Sequence, residues 1–429
     1  MAMAPHRTDA RAPRTAPEIA GRVTIASIAA GGDGVGRADG RVLFVPRTAP
    51  GDVADVTFRA DPAARFAHAR LARLVAPGGS RVAAECPHYD RDDCGGCQLQ
   101  HLTYAAQLAA KAAIISDAFL RIGKRPLAAP PEVRPSPGQW RYRRKLSLHL
   151  RHDGTRLVGG LHPYHDASAV FPLDDCRITS SAVNAASREV VAAGDLLPPA
   201  HELRATVREA DGGVTLLVEG GTSWRDPAAL LVRVPALVAI WWQPHQGARR
   251  LVADRRPGDE PGASFVQVNA AMAAEMRAHV VSRVLTWAPA TVVDCYAGAG
   301  DTALDLAARG VHVTAIELDA DAARFCAARL PAGSRSVTAR VEAELPRALP
   351  ADAVIVNPPR EGLQAPVTRA LDAEHGRTRA VLYVSCNPAT LARDVARLPH
   401  WRVASCVAFD MFPQTAHVET VCELVPGES

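Results

Sequence analysis

A chain of 429 residues, 48% apolar and 22% charged, is large enough for two or three hydrophobic cores and has a globular composition, which argues against a disordered protein. The formal net charge of +4 permits a nucleic-acid partner without indicating one. No run approaches the roughly 20 apolar residues of a membrane span, and no hydrophobic signal core is present. We therefore expect a cytoplasmic protein with no membrane partner.

The N-terminal part of the chain predicts a small barrel. Residues 1–17 are rich in Arg, Ala and Pro and are expected to form a disordered tail. From 18 to 77, short β-rich runs alternate with glycine turns, including the glycine-rich run at 31–36. Short strands at regular spacing are typical of a barrel of oligonucleotide-binding type. A barrel with a purely structural role is the alternative.

Residues 78–262 predict a central domain of mixed α+β type. The Ala-rich stretch at 102–121 has helical composition. Four further runs alternate like antiparallel strands: 141–150, 156–160, 202–208 and 213–219. Pro and Gly residues at 255–262 mark the end of this domain.

Nine cysteines in a chain without a secretory signal argue against a disulfide framework. Four of them are placed like metal ligands: Cys86, Cys94, Cys97 and Cys176. Four thiolates can hold zinc or a 4Fe-4S cluster, and the spacing does not separate the two. Unligated core cysteines are the structural alternative.

The run at 141–145 interleaves basic and aromatic residues soon after these cysteines. Such a run can hold a phosphate and stack a base. It can equally be a solvated strand.

From residue 263 onward, short apolar runs alternate with segments of helical composition, which is typical of a doubly wound, Rossmann-like α/β sheet. Ligands bind such sheets at the carboxyl ends of the strands. Four residues of chemical interest fall just past predicted strands: Gly298, Glu317, Asn357 and Cys386. We therefore expect them to meet at one edge of a domain over residues 263–429.

A glycine loop predicts a nucleoside cofactor. Gly298 and Gly300 let the backbone turn tightly against a ligand, and Glu317, 19 residues after Gly298, can accept hydrogen bonds from both ribose hydroxyls. Gly298, Gly300 and Ala303 also satisfy a loose dinucleotide fingerprint, so an NAD enzyme is one alternative. That alternative gives no role to Cys386.

Cys386 and Glu419 suit covalent catalysis by a thiol and a base. Cys386 lies between the end of a predicted strand and a helix opened by Pro388, where positive backbone dipoles favour a thiolate. A core thiol and a surface carboxylate are the structural alternatives. The Asn-Pro-Pro-Arg run at 357–360 raises another reading, since exocyclic amine methyltransferases hold an NH2 group with a similar loop, although Arg360 stands where an aromatic residue would stack the base.

Taken in order, these motifs resemble those of the S-adenosylmethionine-dependent RNA (uracil-5-)-methyltransferases with an N-terminal TRAM domain. The likeness covers most of the chain, from the glycine-rich run at 31–36 to the runs at 410–414 and 417–420. The fold that it implies is a multidomain α/β protein: a TRAM barrel at 18–77, a central α+β domain with an iron-sulfur cluster at 78–262, and a class I methyltransferase domain at 263–429.

The resemblance also implies ligands and partners. S-adenosylmethionine would contact Gln267, Tyr296, Glu317 and Asn357, beside the glycine loop at 298–300. The four ligand-like cysteines would hold a 4Fe-4S cluster, with zinc less favoured. The partner would be RNA, with ribosomal RNA favoured over transfer RNA and the first two domains holding the RNA around the target; no protein partner is inferred.

In the family's chemistry, a thiolate adds to carbon 6 of a uracil and makes carbon 5 nucleophilic, and a base later removes the carbon 5 proton. The resemblance implies that Cys386 is the nucleophile and Glu419 the base. An exocyclic amine methyltransferase and a non-catalytic RNA-binding or assembly protein with the same fold are the alternatives. Intact Cys386 and Glu419 argue against the second.

Overall fold

The computed structural model of the protein describes residues 18–59, 64–152, 154, 156–256 and 267–427. The tail predicted at 1–17 lies outside the described residues, as do positions 257–266, which hold most of the predicted Pro-Gly exit and the start of the predicted catalytic domain. The described strands form one closed barrel and two open sheets. Of the helices described, none is both long and apolar enough to cross a membrane.

The N-terminal strands close into a barrel in the order β1-β2-β3-β5-β4. The strands are β1 (Glu18–Ile28), β2 (Gly34–Ala38), β3 (Arg41–Val45), β4 (Val53–Arg59) and β5 (Phe66–Ala76). Alternate residues point inward and outward, and Val23, Leu43 and Phe58 are among those that fill the interior. The barrel predicted from the short strands is confirmed.

Two helices and a short strand follow the barrel: α1 (Pro87–Arg91), α2 (Tyr104–Arg121) and β6 (Glu132–Arg134). Thr103 caps α2, because its hydroxyl accepts a hydrogen bond from the backbone N–H of Ala106. The helix buries one face, which includes Ile115 and Phe119. The predicted helix at 102–121 is thus confirmed.

The central sheet has seven strands in the order β13-β12-β11-β10-β7-β8-β9. Its strands are β7 (Lys145–His152), β8 (Leu157–Leu161), β9 (Phe171–Pro172), β10 (Glu202–Ala210), β11 (Gly213–Glu219), β12 (Leu237–Gln243) and β13 (Arg250–Asp254). Helices α3 (Ser181–Ala192) and α4 (Pro227–Arg233) pack on it around Val190, Leu216 and Leu230.

The third sheet has eight strands in the order β16-β15-β14-β17-β18-β20-β19-β6. Its further strands are β14 (Thr291–Cys295), β15 (His312–Glu317), β16 (Arg335–Thr338), β17 (Ala353–Val356), β18 (Ala380–Ser385), β19 (Trp401–Phe409) and β20 (Glu419–Pro426). The helices of this part are α5 (Ala270–Leu285), α6 (Asp301–Ala307), α7 (Ala320–Arg329), α8 (Val341–Ala348), α9 (Ala365–Ala373) and α10 (Pro388–Ala396). Apolar cores cover both faces of this sheet. The parallel strands therefore have continuous apolar sequences, because the side chains on both faces are buried.

Strand direction in the third sheet decides where the candidate site residues come together. Strands β14 to β18 run parallel, so their carboxyl ends share one edge. Strand β20 is antiparallel to β18, with Thr420 opposite Ser385, so β20 begins where β18 ends. Residues after four strand ends and the first residue of β20 therefore lie along the same edge.

The segment with α2 and β6 belongs to the third sheet. Phe119 and Ile115 lie in the same core as Val354 and Tyr383, and β6 pairs in parallel with β19. The prediction of one central domain over 78–262 differs from this packing, because it grouped α2 and β6 with the central sheet. An amphipathic helix shows in its sequence that one face is buried, but not against which sheet.

Candidate active site

A glycine loop follows β14. Tyr296, Gly298 and Gly300 have φ angles of 62°, 57° and 84°, in the left-handed region that favours glycine. A Cβ at Gly300 would lie 2.1 Å from the sulfur of Cys326, so only glycine lets the loop pack against α7. A Cβ at Gly298 would meet no heavy atom within 4 Å, so the loop has an open side there.

Glu317 holds this loop from the end of β15. Its Oε2 accepts a 2.8 Å hydrogen bond from the backbone N–H of Gly298, and its Oε1 accepts one of 2.7 Å from that of Asp319. Each carboxylate oxygen keeps a further lone pair for a ligand. The predicted pairing of the glycine loop with Glu317 is therefore present as a direct contact.

Asp294, at the base of the loop, is a buried acid with one unpartnered oxygen. Its Oδ2 is buried and has no hydrogen-bond partner in the described part of the chain. Burial first, and then repulsion from Glu317, raise the pKa of Asp294 to about 7. A buried acceptor without a donor, beside an open glycine loop, fits a site that a polar ligand completes.

The other predicted cofactor residues lie around the same edge. Tyr296 is half-buried, and Asn357 is exposed just after β17, with its backbone N–H 3.3 Å from the carbonyl oxygen of Cys295. Gln267 is half-buried two residues before Asn269, whose side chain caps α5. Because α5 runs back along the sheet to β14, its beginning lies at the edge where β14 ends.

Cys386 stands between β18 and α10. It is half-buried, and the side chain of Asn387 caps the helix by accepting a 3.0 Å hydrogen bond from the N–H of Ala389. Burial first, and then the charge of Glu419, raise the pKa of the thiol to about 11, while Arg360 opposes the rise. The expectation that backbone dipoles would favour the thiolate is outweighed by burial and the neighbouring carboxylate.

Glu419 opens β20 and is only 4% exposed, so the surface-carboxylate alternative is wrong. The pairing of Thr420 with Ser385 places Glu419 beside Cys386. Burial raises the pKa of Glu419 to about 8, and Arg360 opposes the rise. The thiol and the carboxyl that the sequence paired thus lie at the same sheet edge, where the charge of Glu419 acts on Cys386.

Arg360 is the cation beside Cys386 and Glu419. Its positive charge favours the ionised forms of the thiol and of the carboxyl, and it lowers both pKa values from where burial alone would set them. Its Nε is buried and has no hydrogen-bond partner within the described residues. The sequence showed Arg360 only as a departure from an amine-binding loop and did not reveal this position.

A clamp from α10 holds the loop that carries Arg360. Three side chains of the segment after Cys386 bind backbone groups of that loop. Asn387 Nδ2 donates to the carbonyl oxygen of Arg360 at 3.3 Å, and Arg393 Nη2 donates to that of Glu361 at 2.6 Å. Asp394 Oδ2 accepts from the backbone N–H of Leu363 at 2.7 Å. The segment that follows Cys386 thereby holds the backbone of the loop that carries Arg360.

Asp394 is the centre of this clamp. It is fully buried and accepts further hydrogen bonds from the Tyr383 hydroxyl at 2.8 Å, from Arg393 Nε at 2.9 Å and from Arg397 Nη1 at 3.3 Å. A Cβ at Gly362, which has a φ of 78°, would lie 2.3 Å from Asp394 Oδ2. Sequence reasoning missed Asp394; an acid on the apolar face of an amphipathic helix is the signal that could have revealed it.

A second anchor fixes the loop that leads to Glu419. Lys111 of α2 and Asp410 form a fully buried ion pair, and the Tyr104 hydroxyl donates to Asp410 at 2.8 Å. The amides of Gln107 and Gln414 meet at 3.0 Å. Helix α2 therefore holds the run at 410–414 that precedes Glu419 in the chain.

The four ligand-like cysteines come together without forming a recognisable metal site. Cys86, Cys94 and Cys97 are buried, and Cys176 packs against Cys97. Burial chiefly, with repulsion from the other thiolates, raises the pKa of Cys94 to about 12. Across the described ranges, no group of three or more His, Cys, Asp or Glu side chains is arranged to hold a metal ion.

The basic and aromatic run at 141–145 is used within the protein. Arg141 makes two 2.6 Å hydrogen bonds to Asp175, and Arg144 pairs with Glu209 at 2.5 Å. The buried Tyr142 donates its hydroxyl to the carbonyl oxygen of Pro413 at 2.9 Å. These contacts favour a structural role over the phosphate site that the sequence left open.

The model of the family described as tRNA (Uracil-5-)-methyltransferase matches residues 333–425 of this chain.

Three relatives in sequence cover most of this chain. A Protochlamydia amoebophila protein named Uncharacterized RNA methyltransferase pc0248 is 30% identical over 95% of this chain and 97% of its own length. Proteins named 23S rRNA (uracil(1939)-C(5))-methyltransferase RlmD are 32% identical in Bordetella parapertussis, over 90% of this chain and 89% of theirs, and 33% identical in Thiobacillus denitrificans, over 93% and 98%.

A solved structure shares the fold. The Pyrococcus abyssi tRNA (uracil-54, C5)-methyltransferase in complex with S-adenosyl-L-homocysteine superposes with a TM-score of 0.67 and 24% sequence identity, covering 94% of this chain and 100% of that one. At this identity the likeness concerns the arrangement of the chain. It extends over the barrel and both sheets rather than over the third sheet alone.

Proposed function

The chain belongs to the RNA (uracil-5-)-methyltransferase family, and we propose that it methylates carbon 5 of a uridine in 23S ribosomal RNA, with S-adenosylmethionine as the methyl donor. Methylation of carbon 5 of an RNA uridine follows from the family. Ribosomal RNA as the substrate is supported by the relatives of 32% and 33% identity, which carry a 23S rRNA methyltransferase name. The observation that carries the proposal is that Cys386, Arg360 and the buried Glu419 interact at one sheet edge.

The cofactor would lie on the glycine loop. Glu317 would accept hydrogen bonds from the ribose hydroxyls, and the open side of the loop at Gly298 gives the backbone room to approach the ligand. Tyr296, Asn357 and Gln267 border the same edge. S-adenosylmethionine supplies the methyl group as an electrophile when it is bound there.

Covalent catalysis would begin at Cys386. The thiolate sulfur forms a bond to carbon 6 of the uracil, and the electrons of the C5=C6 double bond move into the ring to give an enolate. Arg360 would stabilise the thiolate that begins this step, since its positive charge lowers the pKa of Cys386. Carbon 5 would then bond to the methyl carbon while the bond between that carbon and the sulfonium sulfur of the donor breaks, which leaves S-adenosylhomocysteine.

Glu419 would complete the reaction. Its carboxylate takes the proton from carbon 5, the C5=C6 double bond re-forms, and the S–C6 bond breaks to release the Cys386 thiolate. A carboxyl whose pKa is raised to about 8 is a stronger base, once ionised, than an exposed glutamate. The amine-methylating alternative needs neither the thiol nor this base.

We also propose that Cys86, Cys94, Cys97 and Cys176 bind a 4Fe-4S cluster. Their gathering from three separate places in the chain, with three of them buried, supports a shared ligand. In a cubane each thiolate binds a different iron, so the sulfurs stand farther apart than around one zinc ion.

The proposed substrate is tested by methylation of defined RNA. Purified protein would be incubated with labelled S-adenosylmethionine and either 23S ribosomal RNA or transfer RNA, both lacking 5-methyluridine, followed by nucleoside mass spectrometry. We expect 5-methyluridine in the ribosomal RNA, at one position, and none with Cys386→Ala. Methylation of transfer RNA alone would contradict the ribosomal assignment and leave the reaction type intact.

A further inference from the structure

The cysteine turn at 94–97 contacts the loop that leads to Glu419. Gln98, which directly follows this turn, is buried. Its Oε1 accepts a 3.4 Å hydrogen bond from the backbone N–H of Ala416, and its Nε2 donates one of 2.9 Å to the carbonyl oxygen of Gly95 inside the turn. One amide side chain therefore joins the cysteine turn to a residue three positions before Glu419.

The backbone of Leu99 adds a second contact. Its N–H donates a 2.9 Å hydrogen bond to the carbonyl oxygen of Gln414, and its side chain is fully buried. Leu99 and Ala416 belong to a small apolar cluster whose other buried members come from the barrel and from α2 with the residues before it: Ile28, Ala49, Leu102 and Ala110. The loop before Glu419 is thus held through both its backbone and its side chains.

A glycine of the barrel closes this junction. Gly32, between β1 and β2, has a φ of 93°. A Cβ at this position would lie 2.5 Å from the Cβ of Gln98 and 3.3 Å from that of Ala416. The barrel turn therefore packs directly on these two residues, which leaves Gln98 little freedom to move away from Ala416.

The backbone of Gln414 is held against its ordinary preference. Gln414 is buried and has a φ of 70°, in the left-handed region that residues other than glycine rarely adopt. Its N–H donates to Oε1 of Gln107 at 2.9 Å, and its carbonyl oxygen accepts the hydrogen bond from Leu99. Such a conformation persists only where the surrounding contacts impose it, and it is concentrated at functional sites. Helix α2 and the segment after the cysteine turn thus keep this loop in one defined path.

We propose that Gln98 is a positioning residue for Glu419, because it holds the backbone of the loop at Ala416 and so sets where the carboxylate lies beside the substrate. The proposal rests on the proposed function, in which Glu419 takes the proton from carbon 5. Addition of Cys386 and transfer of the methyl group come before that step and do not use the carboxylate. A displaced Glu419 should therefore slow the release of the methylated RNA and leave methyl transfer unchanged.

Single-turnover reactions of full-length variants test the role of Gln98. Gln98→Met keeps the volume of the side chain but loses both hydrogen bonds, so the packing at the junction is retained. Labelled RNA and S-adenosylmethionine would be followed for methyl transfer and, on denaturing gels, for the covalent RNA adduct. We expect methyl transfer at the wild-type rate and decay of the adduct about tenfold more slowly, because a small misplacement of a reacting group has a large effect on its rate.

Gln100→Met is the matched control. Gln100 is also buried, two residues further along the chain, and its Oε1 accepts a 3.2 Å hydrogen bond from the backbone N–H of Cys86. This variant should release the RNA at the wild-type rate. Wild-type decay of the adduct in Gln98→Met, equal slowing of methyl transfer and decay, or the same slow decay in Gln100→Met would overturn the proposal and reduce Gln98 to a structural residue.

Glu419→Gln separates this proposal from the proposed function. It should accumulate the adduct if Glu419 removes the carbon 5 proton. Absence of the adduct with Glu419→Gln would contradict the mechanism itself. An adduct with Glu419→Gln, together with only the wild-type level in Gln98→Met, would refute the positioning role and leave the mechanism intact.

Discussion

Asp394 Oδ2 accepts a 2.7 Å hydrogen bond from the backbone N–H of Leu363, which joins the helix after Cys386 to the loop that carries Arg360. The contact is buried, and Asp394 has no exposed surface. The backbone of the Arg360 loop is therefore held against this helix by the interior of the protein.

Asp394→Asn should loosen this clamp. An amide cannot neutralise Arg393 and Arg397, so the Arg360 loop should shift and the pKa of Cys386 should rise above its wild-type value of about 11. The measurement is the rate of thiol alkylation against pH. Asp372→Asn, which removes a carboxylate bonded to His400, is the control and should leave the profile unchanged. A lower stability with an unchanged thiol profile would reduce Asp394 to a structural residue.

The two catalytic variants should fail at different steps. Cys386→Ala should form no covalent RNA adduct and transfer no methyl group, because carbon 5 stays unreactive without addition to carbon 6. Glu419→Gln should transfer one methyl group and then retain the RNA, because the carbon 5 proton blocks elimination. Denaturing gels with labelled RNA would show a shifted protein band for Glu419→Gln only. Normal turnover by Cys386→Ala would refute the covalent mechanism.

Glu419 should make the stability of the protein depend on pH. Its pKa rises from 4.5 in the unfolded chain to about 8 in the folded protein, so the folded state favours the protonated form. The stability that this preference gives is complete below pH 4.5 and is lost as the pH rises through about 8. Relative to Glu419→Gln, the wild type should lose about 1.4 kcal/mol per pH unit over that window. Urea unfolding of both proteins at several pH values measures the difference, and a constant difference would disprove it.

Iron content tests the cysteine group. Protein purified without oxygen should be brown and contain about four iron atoms per chain. Cys97→Ser should lose most of the colour, since it removes a ligand from the centre of the group. Cys406→Ser, a half-buried thiol of β19, should keep it. One zinc atom per chain in place of iron would show that the cluster assignment is wrong.

The positions of Cys386 and of the glycine loop in the sheet were predictable because their surroundings are local. Cys386 follows a continuous apolar strand and precedes a helix opened by Pro388, so the sequence indicates both its position and its sheet edge. Gly300 has a φ of 84°, which favours glycine, so a glycine at this position is itself the signal of a tight turn. Such motifs consist of a strand end and the few residues after it. A single short stretch of sequence contains all of them, so they can be recognised without the structure.

The position of Arg360 and the pKa of Cys386 were not predictable, because both depend on distant segments of the chain. The position of Arg360 depends on Asp394, 34 residues later, and the pKa of Cys386 on Glu419, 33 residues later. The apolar run of β12 gave no period that distinguishes a strand from a helix, and it was not predicted. Burial, which raises the pKa of Cys386, exists only once both faces of the sheet are covered.

Strand β6 and helix α2 also limit how this enzyme can be divided. Both come from the first third of the chain, yet they complete the sheet and the core of the last third. A fragment that began at residue 263 would expose the edge of β19 to water. It would also expose the apolar side chains of the third sheet that Phe119 covers, and such surfaces favour aggregation. The methyltransferase part is therefore no transferable module. The segment from α2 to β6 and the strands of the third sheet must therefore come from the same protein. A chimera between two relatives has to exchange both together.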